Sequence, residues 1–127
     1  MYQSQIKGDK LYHATSVGYG QAVETFGDTQ EGETPMSLLV IALGSCVTMC
    51  IQGYYKRYEK KETVQTELAI SYDEGHFEFV IEIADDLTEQ KKEAILGYVN
   101  QFCRVKALLR EDLTFTYKLV EKSKVSE

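Results

Sequence analysis

The clearest pattern along the chain is an alternation of apolar and polar positions in its second half. "VQTELAISY" sets Val64, Leu68, Ile70 and Tyr72 on one side and Gln65, Glu67 and Ser71 on the other, the period of a half-buried strand. After the turn residues Asp73-Glu74-Gly75, "FEFVIEI" resumes the alternation with Phe77, Phe79, Ile81 and Ile83 inward. The two runs predict a hairpin. "LTFTYKL" repeats the pattern near the C-terminus, with Leu113, Phe115, Tyr117 and Leu119 on one face of a final strand. In the first thirty residues, "YQSQIK", "LYHATSV" and "QAVETF" read as short strands separated by turn residues, a small antiparallel meander.

Between these strand regions the period changes. Thr34 is a good helix N-cap and Pro35 suits the first helical position, where its missing N–H is not needed. The helix that follows is apolar on nearly all sides from Leu38 to Ile51, which predicts burial on most of its surface, and charge returns only at "KRYEKKE". Thr88 caps a second helix, "EQKKEAILGYVNQFC", whose stripe of Ile95, Val99, Phe102 and Cys103 turns that cysteine inward. A short helix over "VKALLR" precedes the last strand. The result is an α+β plan in one continuous domain over residues 1–127, with Pro35 the only proline and no repeat or linker.

Charge and composition remove several classes of function. With 14 basic and 20 acidic residues the net charge is -6, which repels a polyphosphate backbone, so no nucleic-acid partner is expected. The apolar run Leu38–Ile51 is shorter than the roughly 18 residues of a membrane span, so no membrane partner is expected either. A polar N-terminus, "MYQSQIKGDK", and an odd cysteine count of 3 argue against a secreted disulfide framework and for the cytoplasm, where thiols stay reduced.

The candidate chemistry therefore lies in the cysteines. Cys46 and Cys50 share a helix face with β-carbons about 5–6 Å apart, whereas a disulfide wants about 3.5–4.5 Å, so they do not pair while the helix is wound. Structural zinc takes four Cys or His ligands, and beyond these two the chain offers only Cys103, His13 and His76 in no recognised spacing. No metal and no cofactor are expected. Each cysteine alone reads as a small buried hydrophobe. Cys103, turned inward from a second helix, adds another reading, because a thiol peroxidase needs an attacking thiolate and a second sulfur to resolve its sulfenic acid.

"TPMSLLVIALGSCVTMCI" resembles the central-helix signature of the OsmC-like superfamily, the osmotically inducible and organic hydroperoxide resistance proteins. "FCRVKALL" is similar to that family's "CPVSNAL", and the order of meander, helix, hairpin, second helix and strand covers nearly the whole chain. The resemblance implies an intertwined homodimer with active sites at the subunit interface. It also implies reduction of organic hydroperoxides, with Cys46 as the peroxidatic thiol, Cys103 as the resolving one, and a cellular dithiol as reductant. Cys50 matches no family position and reads as packing.

Several positions depart from the family pattern. Ser37 stands where its peroxidases keep a glutamate, and the meander carries no arginine, the first in the chain being Arg57. Arg104 and Lys106 stand where the family has proline and serine. Burial raises a thiol's pKa and a nearby cation is the usual way to bring it down to a thiolate, and Lys7, Lys10, His13 and Arg104 are the candidates. Two functions follow: a thiol-dependent hydroperoxide reductase, or a protein of the same fold that binds a small apolar ligand at the dimer cleft or senses redox state.

Overall fold

The computed structural model describes residues 1–122, in two compact units that divide between Ile41 and Ala42. In the first, β1 (Gln5–Gly8), β2 (His13–Val17) and β3 (Glu24–Phe26) form the expected meander. Both pairings are antiparallel, with Lys7 opposite Thr15 and Ala14 opposite Thr25. His13 fastens it: Nδ1 lies 2.7 Å from Asp9 and Nε2 lies 2.8 Å from Glu24, so one imidazole joins the β1–β2 turn to β3.

The long helix, α1 (Pro35–Glu59), begins where the N-cap chemistry predicts. Thr34 Oγ1 accepts from the Ser37 N–H at 3.1 Å, and Ser37 Oγ accepts from the Thr34 N–H at 2.7 Å. This is a reciprocal capping box built with serine instead of glutamate. At the other end Lys60 turns left-handed at φ 57°, and the Lys61 N–H closes on the Tyr55 carbonyl at 3.2 Å.

The second unit holds most of α1, the hairpin β4 (Thr66–Asp73) and β5 (His76–Ile83), α2 (Glu89–Phe102), α3 (Arg104–Ala107) and β6 (Thr114–Glu121). The sheet order is β4-β5-β6, the first pair antiparallel and the second parallel. A parallel partner needs a crossover, which α2 and α3 supply. The register places Leu68, Ile81 and Leu119 side by side, and likewise Ile70, Phe79 and Tyr117, so the alternation read in three separate strands merges into one apolar face.

Helix α1 meets that face along Leu43, Val47, Ile51 and Tyr55, which recur every fourth residue and are fully buried. Each such burial stabilises by about 1.5–3 kcal/mol. Contact is close at Gly44, where a β-carbon would sit 3.3 Å from both Leu68 and Ile70 side chains. In α2, Ile95 and Val99 are fully buried, and Tyr98 packs edge-on against Tyr54 and Tyr58 of α1.

The buried face is only part of α1. Ile41 is 46% and Met49 65% exposed, so apolar side chains also line the opposite side. Among the described helices α1 is also long and apolar enough to cross a membrane, a length the uninterrupted apolar run alone does not suggest. A core helix has the same profile, and the stripe from Leu43 to Tyr55 packs here as one.

Candidate functional site

Cys46 and Cys50 stand one turn apart on α1, and their spacing puts both on one flank of the helix. Cys103 arrives from elsewhere, one residue beyond the α2 stripe on which the periodicity placed it. Its φ of -75° and ψ of 102° break the helix there. The Cys103 N–H still closes on the Val99 carbonyl at 2.9 Å and its own carbonyl accepts from Ala107 at 3.2 Å, while the Arg104 and Val105 N–H groups donate to Cys46. Cys103 thus ends α2 and starts α3.

This junction brings the three sulfurs together: the Sγ atoms of Cys46, Cys50 and Cys103 all lie within 4.8 Å of one another. All three are free thiols. Cys50 and Cys103 are buried, while Cys46 is only partly so. Cys46 and Cys50 line an open pocket with Ala42, Ser45, Met49, Gly53, Tyr98, Phe102 and Arg104. Its walls are mainly apolar, with one cation at the rim.

The environments of the thiols differ. Burial works to raise the Cys46 pKa, but the Val105 N–H, the Cys103 thiol, the Arg104 N–H and the Cys50 thiol outweigh it, and the group titrates below the ordinary 9.0. Burial dominates at Cys103 and, with Cys46 opposing a second charge, holds that thiol above 9.0. Burial also pushes Cys50 up to about 12, with the charges of Cys103 and Cys46 adding to it. The partly exposed thiol is therefore the acidic one, and its donors are mainly backbone N–H groups and neighbouring thiols.

Tyr117 and Lys106 both feel the charge of Cys103. Tyr117 has a buried hydroxyl with no hydrogen-bond partner among the described residues, and burial, then the charge of Cys103, pushes it up to about 12. Lys106 Nζ lies 4.6 Å from the centre of the Phe115 ring, donates to Asn100 Oδ1 at 2.6 Å, and is lowered by burial.

The cations considered from the sequence separate clearly. Lys7 and Lys10 are exposed, and His13 is held between Asp9 and Glu24. Arg104 is the one whose backbone and pocket position both meet Cys46. Ser37 is engaged in the capping box, where its hydroxyl also donates to Glu33 Oε1 at 2.7 Å. Sequence reasoning missed Cys50 as a member of the cluster, although the four-residue spacing to Cys46 was the signal.

The fold and this helix-borne thiol site define an OsmC-type protein. The profile described as OsmC-like protein matches residues 27–118, and the chain belongs to that family. An OsmC-like protein from Mycoplasma pneumoniae shares the fold at 10% identity, with 95% of this chain and 96% of that one covered and a TM-score of 0.74. The organic hydroperoxide resistance protein OhrB of Bacillus subtilis matches at 15% identity over 94% and 98% of the two chains, TM-score 0.63. The organic hydroperoxide resistance protein OsmC from Legionella pneumophila matches at 13% identity over 94% and 97%, TM-score 0.65. No curated protein matches the sequence.

Proposed function

We propose that this protein is a thiol-dependent peroxidase that reduces organic hydroperoxides. The observation that carries the reading is the pairing of a partly exposed, acidified Cys46 with a buried, protonated Cys103 inside one sulfur cluster. The Cys46 thiolate attacks the O–O bond of the hydroperoxide, taking the outer oxygen as a sulfenic acid, and the alkoxide leaves and picks up a proton as the alcohol. The Cys103 thiol then condenses with the sulfenic acid, forming the disulfide and releasing water, and a cellular dithiol reduces that disulfide.

Ala42, Met49 and Phe102 beside Cys46 favour an alkyl or fatty hydroperoxide over hydrogen peroxide. The backbone N–H groups of Arg104 and Val105 take the part of the missing arginine in lowering the thiol. The working form is a cytoplasmic homodimer without bound nucleic acid or membrane, in which the exposed Ile41 and Met49 are covered by a second copy.

The test is mass spectrometry of proteolytic fragments after treating reduced protein with one equivalent of an organic hydroperoxide. A Cys46–Cys103 crosslink, with hydroperoxide consumption abolished in Cys46→Ser, is the expected result. Three intact thiols and an unchanged hydroperoxide level would refute the reading.

A further inference from the structure

Cys50 has no part in the peroxidase reading, yet its sulfur is as much a member of the cluster as the other two. Three sulfurs bound pyramidally to one central ion at about 2.3 Å, the zinc–thiolate length, lie about 3.5 Å apart. The observed upper limit of 4.8 Å exceeds that figure, so the thiols close on the ion by side-chain rotation. Two of the three donors sit on a continuous helix of 25 residues and the third on a helix junction where the Cys103 N–H and carbonyl are both bonded to backbone, so the set is held on rigid elements.

The donor set selects the ion. Thiolates prefer soft, thiophilic centres. Among the described residues no histidine or carboxylate joins the cluster as a fourth ligand. Structural zinc, which wants four, is poorly served. Three thiolates also place three negative charges where Cys50 and Cys103 are buried, and buried charge is costly unless it is neutralised. A trivalent centre leaves the bound site neutral, whereas a monovalent or divalent one does not.

We propose that Cys46, Cys50 and Cys103 form a three-thiolate site for a soft trivalent ion, of which arsenic(III) is the representative. In water this species is arsenous acid. Each of its three hydroxyl groups leaves as water with the proton of one thiol, and three As–S bonds replace three As–O bonds. Neither arsenic nor sulfur changes oxidation state. Entry is through the pocket beside Cys46, past Met49 and Phe102. The proposal does not depend on the peroxidase reading, and it implies that an occupied site cannot attack a peroxide.

The experiment uses the reduced full chain without peroxide, titrated anaerobically with sodium arsenite. Binding is followed by intact mass and by counting thiols that remain open to alkylation. One arsenic per chain with all three thiols protected is expected, and X-ray absorption should show three sulfur neighbours and no oxygen. Cys50→Ser and Cys50→Ala should each weaken binding by more than the ~100-fold that a merely supporting partner is worth, with circular dichroism checking that both are folded. Unimpaired binding by the Cys50 variants would overturn the proposal, since the site would then be the Cys46–Cys103 pair alone. So would three alkylatable thiols in excess arsenite. Should neither variant fold, the sulfur count of the unsubstituted protein decides: three uphold the site and two refute it.

Discussion

Tyr55 donates a 2.7 Å hydrogen bond to the Asp85 carboxylate across the end of the core. The phenol belongs to the buried stripe of α1 and the carboxylate to the link between β5 and α2. Lys91 completes the network, 2.5 Å from Asp85 and 2.6 Å from Glu59. Asp85 is 9% exposed and so needs these partners to remain charged.

Tyr55→Phe keeps the packing and removes one bond to a charged group, so it should lower unfolding stability by about 1.5–3 kcal/mol in denaturant titrations. Burial works to raise the Asp85 pKa, but Lys91 and Tyr55 outweigh it and the value lies below 3.8. Its contribution is therefore complete above pH 3.8 and disappears as the pH falls through the lower folded value. Asp85→Asn should flatten the acid limb of the stability profile. An unchanged limb would show that Asp85 is not the group responsible.

Thiol reactivity should follow the order set by the cluster. Cys46 titrates below 9.0 and is partly exposed, whereas Cys50 is pushed up to about 12 and is buried. Timed alkylation with iodoacetamide near pH 8 should label Cys46 first. Prior labelling of Cys50 or Cys103 would contradict the electrostatic account of the site.

In the meander the pH dependence has the opposite sign. Hydrogen bonds to Glu24 and then Asp9 raise the His13 pKa above 6.5. The stabilisation by His13 is thus complete below pH 6.5 and is lost as the pH rises through the higher folded value. An NMR titration of the imidazole should give a midpoint above 6.5, which His13 in a Glu24→Gln variant should approach from above. A midpoint at or below 6.5 in the unsubstituted protein would rule out the clamp.

Two helical glycines should respond in opposite directions. A β-carbon at Gly44 meets Leu68 and Ile70 at 3.3 Å, while one at Gly97 meets nothing within 4 Å. Gly44→Leu should destabilise by about 1–3 kcal/mol through overpacking. Gly97→Ala should stabilise by about 0.5–1 kcal/mol, because only the backbone entropy of glycine is removed. Thermal unfolding of the pair checks both, and a tolerated Gly44→Leu would mean that α1 does not approach β4 closely.

Local rules reached far into this protein. The alternation in Phe77, Phe79, Ile81 and Ile83 is a property of one strand, and all four are buried as it implies. Thr34 and Thr88 mark the starts of α1 and α2, because a cap is a bond between residues three apart. The "ALGSC" and "FCRVKALL" segments likewise carried the family resemblance. Ser37 as the second half of a capping box was harder to read, since glutamate or glutamine is the usual signal there.

Relations between segments were not legible in this way. No periodicity states that β6 lies parallel to β5, since the strand pattern is the same for either direction. Nor does any spacing place Cys103 against Cys46 and Cys50, which requires the helix break at Cys103 and the packing of the α2–α3 junction against α1. Residue order thus determined the elements, their caps and the inward face of β5, all short-range consequences of backbone geometry, whereas Tyr72 and Phe102, set inward by the same rules, are 38% and 40% exposed. Only the tertiary structure decided that three thiols form one cluster and that Cys46 is its acidic member, because convergence and electrostatic environment depend on groups distant in the chain.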